Sequence, residues 1–319
     1  MRTAHQCFNK RGNFVKALVT GGTGYLGTSL VEHLARRGDI DEIVVYDNLS
    51  RKNFSFFLDE KKLNIAVSFI EADILDSRTF GQALEGVDVV FHLAAKATTP
   101  FADSDAQLYE QVNHWGTAET VYAVEQSAVR RFIFVSSASI YGSSSDEIDE
   151  KSTPNPNTIY ARSKHKAEKQ VMRLWNSKTE AFIIRCGNIY GYNRSMRFDG
   201  VINRFLFESV HSRRITINGD GQQYRSFVSI DRAASITANL TDASLKPACY
   251  NMVDRSYTIN EIADHMAELF DGLERTYINQ DLQLHHQRVK SNPLLAKLAT
   301  TAEIPLIEYL PRFAKRFSL

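Results

Sequence analysis

The sequence predicts an α/β fold, a doubly wound parallel sheet followed by a smaller C-terminal region. Through the first 187 residues, short apolar runs alternate with longer amphipathic segments. Nearly continuous apolar strands suit a sheet that helices cover on both faces. A glycine-rich turn joins the first apolar run to the first amphipathic segment, which is typical of parallel sheets with crossover helices. After Gly187 the alternation is less regular, which indicates a second, smaller unit.

Six strands are predicted in the first unit, each a short run of mainly aliphatic and aromatic residues. They cover residues 15–20, 43–46, 67–70, 87–93, 131–136 and 181–185. Apolar residues that recur every three or four positions predict the main helices. These cover residues 26–37, 105–126, 160–175, 201–211 and 259–270. Because helices separate the strands of the first unit, right-handed crossovers and parallel pairing follow.

The chain has 319 residues, a length typical of about two domains. We predict that residues 14–187 form the larger domain and that residues 226–252 return to it. Residues 188–225 and 253–319 are predicted to form the smaller domain.

Charge and hydropathy argue against two classes of partner. Lys and Arg number 38 and Asp and Glu number 37, so the formal net charge is +1. Because positive charges exceed negative charges by only one, capture of nucleic acid or of an acidic membrane surface is not expected. The longest strongly apolar stretch, residues 87–95, is too short to span a bilayer.

The three cysteines, Cys7, Cys186 and Cys249, lie far apart in the chain. Their spacing suits neither a zinc site nor a disulfide framework, and the nine histidines show no metal-binding spacing. We therefore predict no metal and a reducing, cytoplasmic environment.

The glycine-rich turn covers residues 20–27 and reads TGGTGYLG. Gly21, Gly24 and Gly27 would allow a tight turn, close approach of a pyrophosphate and close packing of a helix on a strand. The following helix would direct free N–H groups at the phosphate. Asp47 ends the second predicted strand 20 residues after Gly27, where a carboxylate can accept hydrogen bonds from ribose hydroxyls. This pattern predicts a dinucleotide site.

Asp47 also bears on which dinucleotide binds. A carboxylate at this position repels a 2′-phosphate, which favours NAD over NADP. Arg51 and Lys52 lie close by in the sequence and leave NADP open.

A second constellation carries acid–base chemistry. Tyr160 and Lys164 lie four residues apart at the start of a predicted helix and share one face. A phenol with a pKa of about 10 is a poor base at neutral pH, but nearby cations favour its phenolate. Ser137 lies at the carboxyl end of the fifth predicted strand, where ligands bind in open α/β sheets. We expect Ser137 to share a substrate hydroxyl proton with Tyr160.

Together these residues resemble the extended short-chain dehydrogenase/reductase family of NAD-dependent nucleotide-sugar epimerases and dehydratases. Further segments that match the family's pattern are HLAA at 92–95, VNHWGT at 112–117, RCGNIYG at 185–191 and GDGQQYR at 219–225. The resemblance implies a Rossmann domain that binds NAD, a smaller domain that binds substrate, and a homodimer formed through the helices on either side of the fifth strand. The cofactor-binding residues that it implies are Gly21, Thr23, Gly24, Tyr25, Leu26, Gly27, Asp47, Asn48, Asp73, Ile74, Leu93, Ala94, Ala95, Asn113, Tyr160, Lys164 and Cys186. The substrate-binding residues that it implies are Lys96, Ser137, Asn188, Arg197, Arg225 and Arg288.

Departures from the family's pattern narrow the reaction. The 4,6-dehydratases carry an Asp-Glu pair before a Tyr-Gly, and the decarboxylases carry a Glu there. This chain has Ser139 and Ile140 before Tyr141 and Gly142, which is similar to the 4-epimerases. The resemblance therefore implies an epimerase that acts at C4 of a nucleotide-activated sugar.

Two alternatives remain open at this point. A nucleotide-4-ketosugar reductase that consumes NAD(P)H would use the same Ser137, Tyr160 and Lys164, and Arg51 and Lys52 favour it. A cofactor-sensing module that has lost catalysis is disfavoured, because the three catalytic residue types are present.

Overall fold

The computed structural model describes residues 14–58, 63–97, 105–278 and 286–317. The strands are β1 (Lys16–Thr20), β2 (Glu42–Asp47), β3 (Ala66–Glu71), β4 (Val89–His92), β5 (Arg131–Ser137), β6 (Glu147–Ile148), β7 (Glu180–Cys186), β8 (Asn188–Tyr190), β9 (Arg214–Asn218), β10 (Tyr224–Ser229), β11 (Cys249–Met252), β12 (Arg255–Thr258), β13 (Glu274–Ile278) and β14 (Arg288–Val289). The helices are α1 (Tyr25–Ala35), α2 (Ser77–Ala83), α3 (Ala106–Tyr109), α4 (Gly116–Glu125), α5 (Ile159–Val171), α6 (Val201–His211), α7 (Ile230–Asn239), α8 (Ile259–Leu269), α9 (Pro293–Ala296) and α10 (Leu306–Ala314).

Seven parallel strands form the main sheet in the order β11-β7-β5-β4-β1-β2-β3. The sheet reverses direction of growth at β1, which is the doubly wound arrangement. All six predicted strands lie in it, so the predicted fold class is confirmed. The seventh strand, β11, adds an edge next to β7.

Helices bury apolar side chains on both faces of this sheet. Leu30 and Val31 of α1 are fully buried with Ile133 of β5 on one face. Val121 of α4 and Val171 of α5 are fully buried on the other face. Coverage on both sides explains why the strands are apolar along their whole length.

The predicted helix 105–126 is interrupted in the structure. A π-helical turn, Glu110–Trp115, separates α3 from α4. Within it, the Asn113 side chain accepts a hydrogen bond from the Lys96 N–H at 2.7 Å and donates to the Lys96 carbonyl at 3.1 Å. Such π-turns frequently mark functional sites.

The C-terminal region builds a second layer beside the carboxyl ends of the main strands. A small sheet has the order β12-β10-β8, and β9 pairs in parallel with β13. Phe205 of α6, Ile262 of α8 and Leu310 of α10 are buried together in its core. The limits of the two domains stay a prediction. Within the described ranges, no helix is both long and apolar enough to cross a membrane.

Candidate active site

The glycine-rich turn lies tightly between β1 and α1. Gly21 has a φ of +67°, and its N–H donates to the Tyr46 carbonyl at 2.9 Å. A Cβ on Gly21 would lie 2.8 Å from the main-chain nitrogen of Ala94. Gly24 is the N-cap of α1, and because it has no capping side chain, the first N–H groups of α1 stay free for an anion. The turn therefore fits the pyrophosphate of a dinucleotide.

Carboxylates gather at the carboxyl end of β2. The Asp47 carboxylate accepts hydrogen bonds from the Thr23 N–H at 3.1 Å and the Leu49 N–H at 2.9 Å. The Asn48 side chain donates to the Asp73 carboxylate at 2.7 Å. The structure thus brings Asp47, Asn48 and Asp73 together, as a site for the adenosine ribose and base requires.

The active-site lysine is deeply buried near the start of α5. The Lys164 Nζ donates to the Val135 carbonyl at 2.7 Å and lies 4.1 Å from the centroid of the Phe134 ring. Burial lowers the pKa of Lys164 to about 7, although the Glu168 carboxylate opposes this shift. The Lys164 Nζ is therefore held by the main chain of β5.

Ser137 and Tyr160 meet at the end of β5. The Ser137 hydroxyl accepts a hydrogen bond from the Ser139 N–H at 3.2 Å. Burial raises the pKa of Tyr160 above its ordinary value, whereas the charge of Arg197 and a hydrogen bond with Ser137 act in the opposite direction. The structure thus brings Ser137 and Tyr160 together, and the charge of Arg197, a candidate substrate residue, also acts on the phenol. That Ser137 and Tyr160 share a substrate proton stays a prediction.

The buried ring of His92, which is not among the predicted site residues, links the end of β1 to α4 through hydrogen bonds. The His92 ring is 2.8 Å from the Thr20 hydroxyl and 3.0 Å from the Thr117 hydroxyl. The Leu93 and Ala94 N–H groups donate to the same Thr20 oxygen, at 3.2 Å and 3.1 Å. Burial lowers the pKa of His92 to about 3, so the ring is neutral at physiological pH. These hydrogen bonds fix the main chain at Leu93 and Ala94, two residues that are predicted to contact the cofactor.

The remaining cofactor candidates lie on both faces of the sheet. Asn113 also donates to the Ser163 hydroxyl at 2.9 Å, which joins the π-turn to α5. Ile74 is buried and lies directly beside Gly116. Cys186 ends β7, opposite Ser137 of β5, with its thiol buried. The Tyr25 hydroxyl points elsewhere and donates to the Gly191 carbonyl at 2.5 Å.

Two of the three candidate substrate arginines contact Tyr224 through different groups. The Arg225 guanidinium donates to the Tyr224 main-chain carbonyl at 3.0 Å, whereas the Arg288 guanidinium lies 5.2 Å from the Tyr224 ring centroid. Burial lowers the pKa of Arg225 to about 10, and in the part of the chain that the structure describes no carboxylate forms an ion pair with it. A half-buried guanidinium in that state is suited to an incoming anion.

The other candidate substrate residues have neighbours within the chain. The Lys96 Nζ lies 3.9 Å from the Asp105 carboxylate. The Asn188 side chain donates to the Ser226 carbonyl at 3.1 Å. The Arg197 guanidinium forms a bidentate ion pair with the Asp199 carboxylate.

The fold and the grouping of Ser137, Tyr160 and Lys164 define an extended short-chain dehydrogenase/reductase. The chain belongs to the NAD dependent epimerase/dehydratase family, whose model matches residues 17–252. Membership of this family makes NAD the cofactor, as expected from Asp47.

Curated relatives carry out more than one reaction. The chain is 34% identical over 227 residues to human dTDP-D-glucose 4,6-dehydratase, a match that covers 68% of this chain and 63% of that protein. It therefore spans less than two thirds of that relative's length. It is 29% identical over 277 residues to ADP-L-glycero-D-manno-heptose-6-epimerase of Alkalilimnicola ehrlichii, covering 82% and 83% of the two chains.

Solved structures share the fold over almost the whole chain. UDP-N-acetylglucosamine 4-epimerase from Methanobrevibacter ruminantium, in complex with UDP-N-acetylmuramic acid, superposes with a TM-score of 0.84 at 23% identity, covering 96% of this chain and 98% of the other. MoeE5 in complex with UDP-glucose and NAD gives a TM-score of 0.80 at 24% identity, covering 94% and 97%.

Proposed function

We propose that the chain is an NAD-dependent epimerase of a nucleotide-activated sugar that acts at C4 through a transient keto sugar. The observation that carries this proposal is the absence of a carboxylate from the segment after Ser137. Where the dehydratases have an Asp-Glu pair before a Tyr-Gly, residues 138–142 of this chain include no Asp or Glu, and Ile140 is fully buried against apolar neighbours. Without that acid and base, oxidation and reduction remain but loss of water does not.

On α5, the carboxylate that lies closest to Lys164 in the sequence already has other hydrogen-bond and ion-pair partners. Glu168 accepts a hydrogen bond from the Ser136 hydroxyl at 2.6 Å and forms an ion pair with Arg185 at 2.9 Å. It therefore does not substitute for the missing acid.

The chain's own residues handle the proton. Bound NAD supplies a hydride acceptor and donor. The Tyr160 phenolate receives the proton of the sugar hydroxyl, assisted by Ser137, while the adjacent C–H bond gives up its hydride. The keto sugar then turns over in the site, and Tyr160 returns the proton as hydride is delivered to the opposite face. Lys164 holds the cofactor ribose.

Binding energy would come from the nucleotide diphosphate, which does not react. Arg225 and Arg288, which both contact Tyr224, are the first candidates for its phosphates. Arg225 is half-buried and pairs with no carboxylate among the described residues, which supports this assignment. Lys96, Asn188 and Arg197 are further candidates.

A homodimer in the cytoplasm completes the proposal. The surface at α4 exposes Trp115 and Tyr122 by 53% and 55%. Large exposed aromatic side chains close together mark interaction surfaces. The described cysteines, Cys186 and Cys249, are free thiols, which suits a reducing compartment.

A ketosugar reductase is the second candidate, and the position of Arg51 favours it. The Arg51 side chain is exposed, and its guanidinium interacts with the charges of Asp47, Asp199 and Arg197. A cation beside Asp47 would offset its repulsion of a 2′-phosphate, so NADPH would be accepted.

The test begins with the cofactor. The protein is purified without added nucleotide and denatured, and the released nucleotide is identified by chromatography and mass. Stoichiometric NAD is expected for an epimerase, whereas NADP(H) or little nucleotide would support the reductase.

The same protein is then incubated with a panel of UDP-, dTDP- and ADP-sugars. An unchanged substrate mass with a new C4 epimer is the expected result. A product lighter by one water would identify a dehydratase. In a parallel incubation with a nucleotide-4-ketosugar and added NAD(P)H, a product heavier by two hydrogens would identify a reductase. The Tyr160→Phe variant is the control; it should retain NAD and lose turnover.

A further inference from the structure

A short turn carries the Ser137 hydroxyl at the end of β5. It is a single 3₁₀ turn, Ala138–Tyr141, that follows the strand directly, and Ser137 is its N-cap. The Ser137 side chain accepts a hydrogen bond from the Ser139 N–H of the turn at 3.2 Å. The position of this hydroxyl therefore depends on the position of the turn. We call residues 137–142 the Ser137 turn.

The side-chain amide of Gln287 binds both ends of the Ser137 turn. Its Nε2 donates to the Ala138 carbonyl at 2.7 Å and to the Gly142 carbonyl at 3.1 Å. Because both partners are carbonyl oxygens, the nitrogen of the amide must face them. Gln287 is 6% exposed, and a buried carbonyl that loses its donor is costly. These two hydrogen bonds hold the turn in a fixed position relative to Gln287.

The opposite side of the Ser137 turn is attached to the main sheet. The Tyr141 hydroxyl donates to the Asn251 side chain of β11 at 2.9 Å and accepts a hydrogen bond from Arg185 of β7 at 2.8 Å. Gly142 ends the turn with a φ of +72°, a conformation that favours glycine. The turn therefore lies between the main sheet and Gln287, which belongs to the C-terminal region.

The main chain of Gln287 is bound to β10, the strand that carries Arg225. The Gln287 N–H donates to the Tyr224 carbonyl at 3.1 Å, and the Arg225 guanidinium donates to the same carbonyl at 3.0 Å. Arg288 is the next residue in the chain, and its guanidinium lies over the Tyr224 ring. One residue thus connects the Ser137 turn to both arginines that we propose for the diphosphate.

Other hydrogen bonds hold this segment in place without the Gln287 amide. The Ser226 hydroxyl, which is fully buried, accepts from the Val289 N–H at 2.9 Å and donates to the Gln287 carbonyl at 3.4 Å. The Ser144 N–H donates to the His286 carbonyl at 2.8 Å. A variant that lacks only the amide should therefore keep β14 beside β6 and β10.

We propose that Gln287 is a positioning residue that links the diphosphate site to the Ser137 turn, so that a bound diphosphate fixes the Ser137 hydroxyl for proton transfer. This rests on the proposed function, in which Arg225 and Arg288 hold the diphosphate. The diphosphate does not react, so its binding energy raises kcat only where it improves the position of a reacting group. Gln287 provides that connection through direct hydrogen bonds.

The kinetic test removes both donors while keeping the side-chain length. Gln287→Met should lower kcat about tenfold to a hundredfold, because a misplacement of about 1 Å can cost about a hundredfold. KM for the nucleotide sugar should change less than kcat, since both arginines remain. Ser226→Ala loosens the same segment from β10 and should lower kcat by a smaller factor.

Thr179→Val is the matched control for the loss of a buried hydrogen bond. The Thr179 hydroxyl donates to the Val129 carbonyl at 2.9 Å, just before β7 begins and at the opposite end of the sheet from Ser137. This variant should leave kcat and KM unchanged. A loss of kcat equal to that of Gln287→Met would show that reduced stability alone explains the effect, and it would overturn the proposal.

A double-mutant cycle separates positioning from general damage to the fold. In a Ser137→Ala background, Gln287→Met should lower kcat no further, because the hydroxyl that it positions is absent. A second loss as large as in the parent protein would overturn the proposal. Stoichiometric NAD and a native circular dichroism spectrum show that each variant is folded. If Gln287→Met does not fold, the cycle is made with Ser226→Ala.

Hydrogen–deuterium exchange tests the link without turnover. The NAD-loaded protein is measured with and without UDP, dTDP or ADP, and calorimetry identifies which of them binds. The bound nucleoside diphosphate should slow amide exchange in residues 138–142 of the parent protein, and this protection should be lost in Gln287→Met.

The exchange experiment distinguishes two kinds of failure. Binding with no protection in the parent protein, or with equal protection in Gln287→Met, would overturn the positioning role and leave the proposed function intact. If none of the three nucleotides binds, the proposed diphosphate site is wrong, and the role of Gln287 is overturned with it.

Discussion

The Glu168 carboxylate and the Arg185 guanidinium form a buried ion pair one helical turn beyond Lys164. Their side chains are 0% and 5% exposed, with contacts of 2.9 Å and 3.2 Å. The Ser136 hydroxyl donates to Glu168, and Arg185 also donates to the Tyr141 hydroxyl at 2.8 Å. The pair therefore joins α5, which carries Tyr160, to the neighbouring strands β5 and β7.

Removing one partner of this pair should be costly. Glu168→Ala leaves the buried Arg185 charge without compensation, a change that typically costs about 3–5 kcal/mol. We expect a corresponding loss in the free energy of unfolding by urea. Glu125→Ala is the control, because its partner Arg173 is 47% exposed and such surface pairs contribute about 0–1 kcal/mol. Equal losses in the two variants would contradict the structural role of Glu168.

Lys164→Met should stabilise the protein while abolishing activity. The pKa of Lys164 falls from 10.5 to about 7 on folding, because burial disfavours the ammonium. Above pH 10.5 the lysine is neutral in both states and costs nothing. As the pH falls from 10.5 to 7, the unfolded chain binds a proton that the folded protein does not, so stability decreases, and below pH 7 the cost is constant.

The pKa of Lys164 shifts by about three units on folding. At about 1.36 kcal/mol per unit, this shift lowers the free energy of unfolding by roughly 4 kcal/mol. The gain from Lys164→Met should therefore be largest at pH 6–7 and shrink towards pH 10, measured by urea unfolding without added nucleotide. Lys166→Met, at a half-exposed position paired with Glu110, should show no such trend. A pH-independent difference would refute the assigned cause.

The sheet, and those site residues that carry a local sequence pattern, could be predicted from the sequence alone. The six strands are apolar runs because both faces are covered, so the pattern could be read from the residues alone. Ser137 could be predicted from its position at a strand end, and Tyr160 and Lys164 from their spacing of one helical turn. Glu168 follows Lys164 at the same four-residue spacing, and this signal was present but not used.

Other features depend on contacts between distant segments and have no local signature. The π-turn exists because Asn113 pairs with the main chain of Lys96. The path of the loop from Gly191 to Asp199 depends on hydrogen bonds with α1. The hydrogen bond from the Lys164 Nζ to the Val135 carbonyl likewise depends on how α5 packs against β5. The action of Lys164 on the phenol stays a prediction.

Gly27→Ala should disrupt the cofactor turn. A Cβ at Gly27 would lie 2.7 Å from the Gly22 Cα, and the main chain there has no room to withdraw. We expect NAD to be largely lost on purification and the melting temperature to fall. Gly81→Ala is the control, since a Cβ there meets nothing within 4 Å. At this position in α2, alanine should stabilise by about 0.5–1 kcal/mol. Full NAD retention in Gly27→Ala would contradict the tight packing of the turn.

The proposed homodimer makes a prediction about one exposed face. Tyr122 of α4 is 55% exposed in the single chain, and Trp115 at the start of the same helix is 53% exposed. If α4 forms the interface, Tyr122→Glu places a charge in its apolar centre, and light scattering at micromolar concentration should change from a dimer mass to a monomer mass. Tyr277→Glu, on β13 and 50% exposed, is the matched control and should remain dimeric. A monomer mass for the parent protein would exclude the dimer, and dissociation by both variants would remove α4 as its specific site.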